Sequence, residues 1–173
     1  ADTDFSLPAN SDWAQAIVDA WKPRCDAAAT DIPLTIAGED VAGEATQVDS
    51  IDPSRPGVVA ARYHQASESQ IRRAVATAQA DPSGWRAMDS QARYDLLRQV
   101  AQQLRLRRGD LIGAAMADGG KTVLESDPEV SEAIDFVEFY AKTALELQQQ
   151  PRLSPRPVGC VVVISPWNFP IAI

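Results

Sequence analysis

Hydrophobic positions along this chain change their period several times, and each change marks an element. Between residues 1 and 30, Trp13, Ile17 and Trp21 recur every four positions, which puts them on one face of a helix. Asn10 or Ser11 can cap that helix, and Pro23 marks its end. From 31 to 63 the pattern is β: segments 33–36, 46–51 and 58–63 predict strands. Gly38-Glu39-Asp40 and Asp52-Pro53-Ser54-Arg55-Pro56-Gly57, both rich in turn formers, connect them.

Three helices are expected next. Ser67-Glu68-Ser69-Gln70 is a capping box, followed by Ile71, Ala74, Val75 and Ala78 as a buried stripe. Asp81-Pro82-Ser83-Gly84 breaks this helix. The second starts at Asp89 or Ser90, with Tyr94, Leu97, Ala101 and Leu104 on one face. It pauses at Gly109-Asp110, resumes over 111–117 and stops at Gly119-Gly120. The third opens with Asp127 as N-cap and Pro128 at the first helical position. Val130, Ile134, Val137, Tyr140, Ala141 and Leu145 carry it to about residue 149. Three prolines in 150–157 exclude helix and central strand and leave a connector. The β-branched run 161–164 then predicts a buried strand of a parallel sheet, which needs neighbours on both edges. Cys160 is expected to pack in that strand as a small hydrophobe, with its thiol pKa raised.

Composition narrows the function classes. The chain has 173 residues, 45% of them hydrophobic, enough for one domain with a core. Asp and Glu number 24 against 16 Lys and Arg, which argues against a nucleic-acid partner. Arg105, Arg107 and Arg108 form the one basic cluster and read as cations complementing a helix C-terminus. Cys25 and Cys160 are too few and too far apart for a disulfide framework, so a reducing, cytoplasmic setting fits. The start of the chain lacks a signal-peptide pattern, and the longest apolar run, 158–164, is too short to span a bilayer. His64 is the only histidine, so a histidine-based metal site or triad is not expected, and no metal is proposed. Gly119-Gly120-Lys121-Thr122 mimics the tail of a phosphate loop, but position 115 is alanine and a helix precedes it. Gly120 is read there as a helix stop.

The order of motifs resembles the aldehyde dehydrogenase family over about residues 46–173. The resemblance is carried by Asp52-Pro53, Val58-Val59, Ala66-Ser67, Trp85-Arg86, Asp118-Gly119-Gly120-Lys121-Thr122 and Glu132-Ala133-Ile134-Asp135-Phe136. Arg156-Pro157-Val158-Gly159 and, most specifically, Ser165-Pro166-Trp167-Asn168-Phe169-Pro170 complete it. Family members more often have Glu-Ala-Gly-Lys where this chain has Asp118 to Lys121. The stretch from Glu129 to Ala141 resembles glutamate-semialdehyde (pyrroline-5-carboxylate) dehydrogenases. Asp4-Phe5-Ser6-Leu7-Pro8-Ala9-Asn10 resembles the segment before that domain in bacterial proline utilization A, whose members fuse it to a flavin-dependent proline dehydrogenase.

The resemblance implies an α/β fold: the N-terminal portion of an aldehyde dehydrogenase, with β segments, several helices and the first strand of the NAD-binding doubly wound sheet, apparently truncated. Residues 1–30 would be a helical linker, 31–157 the N-terminal part of the dehydrogenase domain, and 158–173 the incomplete start of the NAD-binding domain. It implies that Asn168 donates its amide to the oxyanion formed when a cysteine thiolate attacks the aldehyde, where a neutral fixed donor is needed. A turn-stabilising asparagine is the plainer alternative. Ile164, Ser165, Pro166 and Trp167 would line the nicotinamide-ribose side of NAD; for Ile164 and Trp167, core packing is the alternative. Phe169 would wall the aldehyde tunnel. Glu132 would face its entrance and meet an α-ammonium group, unless it is an ordinary solvated helix glutamate. The nucleophilic cysteine and the general base lie outside the 173 residues, so the chain alone should be inert. The intact enzyme would be a homo-oligomer that takes a small aldehyde. A non-catalytic helical assembly module is the rival reading.

Overall fold

The computed structural model describes residues 2–173. Helix α1 spans Pro8–Trp21. It begins earlier than the capping pattern predicts, because Pro8 suits a first turn whose N–H groups are free in any case. Asn10 and Ser11 fall inside that turn, and their side chains reach back to the carbonyls of Asp4 (2.8 Å) and Phe5 (2.9 Å). Pro23 lies in a short 3-10 turn directly after the helix.

Five strands follow: β1 Thr30–Ile32, β2 Leu34–Ile36, β3 Glu39–Val41, β4 Gln47–Ile51 and β5 Val59–His64. The main sheet has the order β1-β5-β4, parallel between β1 and β5 and antiparallel between β4 and β5. Strands β2 and β3 form a separate hairpin. Its tight turn is Ala37-Gly38, both with positive φ, so Glu39 and Asp40 enter the strand rather than the connector. The β4–β5 connection is organised by buried Asp52. Its carboxylate accepts from the Ser54 N–H (2.8 Å), the Ser54 hydroxyl (2.6 Å) and Arg55 Nε (2.7 Å).

Helices α2 Glu68–Ala80, α3 Ser90–Leu106, α4 Arg108–Gly119 and α5 Val123–Gln148 complete the order. Ser67 caps α2 in a full capping box with Gln70, and Asp89 caps α3 by accepting from the Ala92 N–H. The stripe expected to be buried on α2 is exposed at Ile71, Ala74, Val75 and Ala78. The helix is held instead by polar bonds from buried Gln70 to the backbone of Ala42 and Glu44. The break between α3 and α4 falls at Arg107, before Gly109. The start of α5 also differs from expectation. Thr122 and Glu125 form a capping box whose N-cap stands five residues before Asp127, so Pro128 lies inside the helix. Tyr140, placed on the buried stripe by periodicity, is exposed.

The core gathers Ile17, Ala101, Ile112, Val130 and Ile134 from α1, α3, α4 and α5. Trp21 packs on this cluster and on a second one of Cys25, Ala60 and Ala117, and so joins helices to sheet. Residues 159–165 form no strand, and Cys160, Val161, Val162, Val163 and Ile164 are all exposed. The reason is geometric: no described strand lies beside them to complete a ladder or cover a face. Cys160 therefore sits in an open segment, not within a packed strand. Among the described residues no helix is long and apolar enough to cross a membrane.

Candidate active site

The turn at 166–170 is the most constrained part of the C-terminal segment. The Phe169 N–H donates to the Pro166 carbonyl at 3.3 Å and closes it. Gly120 ends α4 in the left-handed region (φ 64°), where a Cβ would stand 2.6 Å from Pro53 Cγ. Thr122 starts α5, so Lys121 is the single residue between the two caps. Its ammonium pairs with Glu129, donates to the Asn168 carbonyl at 3.1 Å and lies 5.0 Å from the Phe169 ring centroid. Glu129 is buried, and its Oε1 accepts from the N–H groups of Ile171 (2.6 Å) and Ala172 (3.2 Å). Ile171 packs on the main core. Backbone groups on both sides of Pro170 are thus met by one ion pair.

Next to this turn runs a groove of about 450 Å³, lined by Phe169, Phe136, Glu125, Glu132 and Asp135 among others. The structure brings Glu132 and Phe169 together on that groove. Carboxylates dominate it, which suits a cationic group. Hydrogen bonds from the Thr122 N–H and hydroxyl hold the Glu125 carboxyl below its ordinary range. Asn168 is exposed on the turn, and its side-chain amide makes no hydrogen bond among the described residues. Ile164, Ser165 and Trp167 are exposed and Pro166 is half-buried; none of the four lines the groove. Core packing does not account for Ile164 or Trp167, which are 88% and 84% exposed.

The basic cluster closes α3 as expected, with Arg105 in its last turn and Arg107 as its C-cap, while Arg108 opens α4. Arg105 pairs with Glu138 at 2.6 Å. Arg108 donates from Nε to the Asp127 carboxylate (2.7 Å) and from Nη2 to the Asp127 carbonyl (2.9 Å) and the Ser131 hydroxyl (2.8 Å). Asp127, expected as an N-cap, is the buried partner of that cation. Its other bonds come from the Thr3 N–H (2.7 Å) and hydroxyl (2.8 Å). Sequence reasoning passed over Lys121 and Glu129. A glutamate eight residues past a lysine gives no signal until the intervening cap directs one toward the other.

Known proteins share this fold. The family described as the aldehyde dehydrogenase family matches residues 41–173. A 1-pyrroline-5-carboxylate dehydrogenase from Bacillus mycoides is 33% identical, over 99% of this chain and 34% of its own length. A 1-pyrroline-5-carboxylate dehydrogenase from Thermus, solved with bound NAD, matches with a TM-score of 0.88 at 26% identity, over 99% of this chain and 35% of that one. Proline utilization A from Bdellovibrio bacteriovorus shares the fold (TM-score 0.84, 24% identity), over 99% of this chain and 18% of that one. This chain therefore spans about a third of the length of the curated relatives it matches. In its α/β fold, its motif order and its match over residues 41–173, the chain belongs to the aldehyde dehydrogenase family.

Proposed function

We propose that this chain contributes to an NAD-dependent dehydrogenase that oxidises L-glutamate γ-semialdehyde, the open form of 1-pyrroline-5-carboxylate, to glutamate. The observation that carries the reading is the 166–170 turn, tethered by a buried ion pair beside an acidic groove. The names of the relatives supply the substrate class. The residues divide the work. The free amide of Asn168 donates to the oxyanion that develops when a thiolate from elsewhere in the complete enzyme adds to the aldehyde. Phe169 forms an apolar wall, and Glu132 offers a carboxylate to the α-ammonium group. Ile164 to Trp167 fit the nicotinamide-ribose side of NAD, because their side chains and backbone are open rather than engaged in a ladder. NAD⁺, when bound, supplies the hydride acceptor. Neither cysteine of this chain suits the nucleophile. Cys25 is buried and accepts from Arg55 at 3.0 Å, and the exposed Cys160 thiol has no hydrogen-bonded base among the described residues to activate it. The same reading places the enzyme in proline catabolism in the cytoplasm, as a homo-oligomer, with residues 158–173 opening its NAD-binding domain.

The deciding experiment is Asn168→Ala in the intact enzyme. Single-turnover hydride transfer should fall about a hundredfold, while NAD⁺ affinity stays within about twofold. Asn168→Asp should be slower still, since a carboxylate repels the oxyanion. If Asn168→Ala left hydride transfer unchanged and abolished NAD⁺ binding, Asn168 would be a turn residue and the assignment would fail.

A further inference from the structure

We infer that Lys121 and Glu129 are positioning residues for the reaction: together they fix where the Asn168 amide stands relative to α5. The inference rests on the role proposed for Asn168. Both side chains are mostly buried, at 16% and 2% exposure. A buried ion pair is a weak source of net stability, because desolvation of the two charges offsets much of their attraction. Geometric register is the better reason for its presence.

The remaining contacts of the pair point the same way. Beyond their mutual bond, Lys121 reaches Asn168 and Phe169, and Glu129 reaches Ile171 and Ala172. The segment between two prolines cannot join a β ladder in the ordinary way, since Pro166 and Pro170 have no N–H to give. Its backbone needs other partners, and these two side chains provide them. The anchor is stiff on the other side. Lys121 is held between the Gly120 and Thr122 caps, and Glu129 sits on the buried face of α5. A shift of about an ångström in the turn would leave ground-state binding nearly intact and misplace the donor in the transition state, a displacement that can cost about a hundredfold in rate. The pair therefore acts on kcat through Asn168 and not on the cofactor.

A double-mutant cycle in the intact enzyme tests this. Lys121→Met should lower single-turnover hydride transfer about tenfold or more, with aldehyde KM and NAD⁺ affinity within about twofold. In the Asn168→Ala background the same change should cost less than about twofold, because the donor it positions is gone. Lys121→Arg, which keeps a donor and the charge, should recover part of the rate. Glu129→Gln keeps an acceptor for Ile171 and Ala172, and should show the same non-additive loss of kcat. It decides the question if Lys121→Met does not fold. An equal loss in both backgrounds, or no loss from Lys121→Met where Asn168→Ala is severe, would overturn the positioning role alone. A silent Asn168→Ala would overturn the proposed function and this role with it.

Discussion

Asp127 lies fully buried in the second turn of α5, and its carboxylate is met by Arg108 and Thr3. Burial by itself would raise its pKa. The bond from Arg108, with those from the Thr3 N–H and hydroxyl, outweighs burial and holds the carboxyl below its ordinary value. Folding thus favours the charged form. The resulting stability is fully present above the unfolded pKa of about 3.9 and is lost as pH falls through the lower folded value. Asp127→Asn should cost about 3 kcal/mol at pH 7, because it leaves the largely buried Arg108 cation unpaired. The gap to the parent chain should narrow below about pH 4. Urea unfolding at a series of pH values reads both effects; a gap that widened in acid would contradict the ion-pair account. Asp52, lowered by its bonds from Ser54 and Arg55 against the cost of burial, gives the variant a residual acid slope of the same sign. Gly113 offers a second test at this scale. A Cβ there would fall 2.0 Å from Trp21 Nε1, so Gly113→Ala must displace the indole that joins the two core clusters. A loss of about 2 kcal/mol and a shifted tryptophan emission are expected. Unchanged emission and stability would show that the ring has room to move.

At the scale of elements, the caps that held are the ones closed by local bonds, Ser67 with Gln70 on α2 and Asp89 on α3. The α2 capping box formed as its residues suggest, because its bonds are local and need no distant partner. Its apolar stripe did not become buried, because burial depends on what lies opposite. The Thr122–Glu125 box overrode Pro128 as a start signal for the same local reason: it satisfies orphan N–H groups one turn earlier. Pro128 then forgoes one helical bond to the carbonyl of Leu124. Thr122→Ala should lower stability by about 1 kcal/mol, while Thr122→Ser should retain most of it. Thermal unfolding of the two variants checks this. Equal losses would mean that the Thr122 methyl, and not its hydroxyl, matters.

For the whole molecule, exposed area is the informative quantity. The chain exposes 11562 Å², whereas a folded monomer of its length exposes roughly 8,300 Å². Large apolar side chains contribute to it: residues 161–164, Val158 and Trp167 stand open, as do Ile71 and Val75 on α2. Such surface favours association. The 173-residue chain on its own should bind a hydrophobic dye strongly and self-associate with rising concentration. Val162→Lys should reduce both without changing its circular dichroism. A monomeric, dye-silent chain at high concentration would contradict this. The same chain should not reduce NAD⁺ with any aldehyde, since neither thiol is hydrogen-bonded to a side-chain base among the described residues. Turnover lost on Cys160→Ala would show that the exposed thiol reaches the turn after all.

The sequence alone determined the local features. The α2 capping box, the helix stop at Gly120, the proline-bounded turn and the family motif all rest on bonds between near neighbours, so residue order suffices to specify them. It also brought Asn168, Phe169 and Glu132 into view as a group worth testing, through the motifs that carry them. Only the tertiary structure decided what faces what. It placed Asp127 against Arg108 instead of at a helix start, left the α2 stripe and residues 161–164 uncovered, and set Lys121 against Glu129 beneath the turn. Those outcomes depend on contacts between residues distant in the chain or on surfaces with no described neighbour. A hydrophobic period records that a face can be buried; it carries no information on whether a partner is there to bury it.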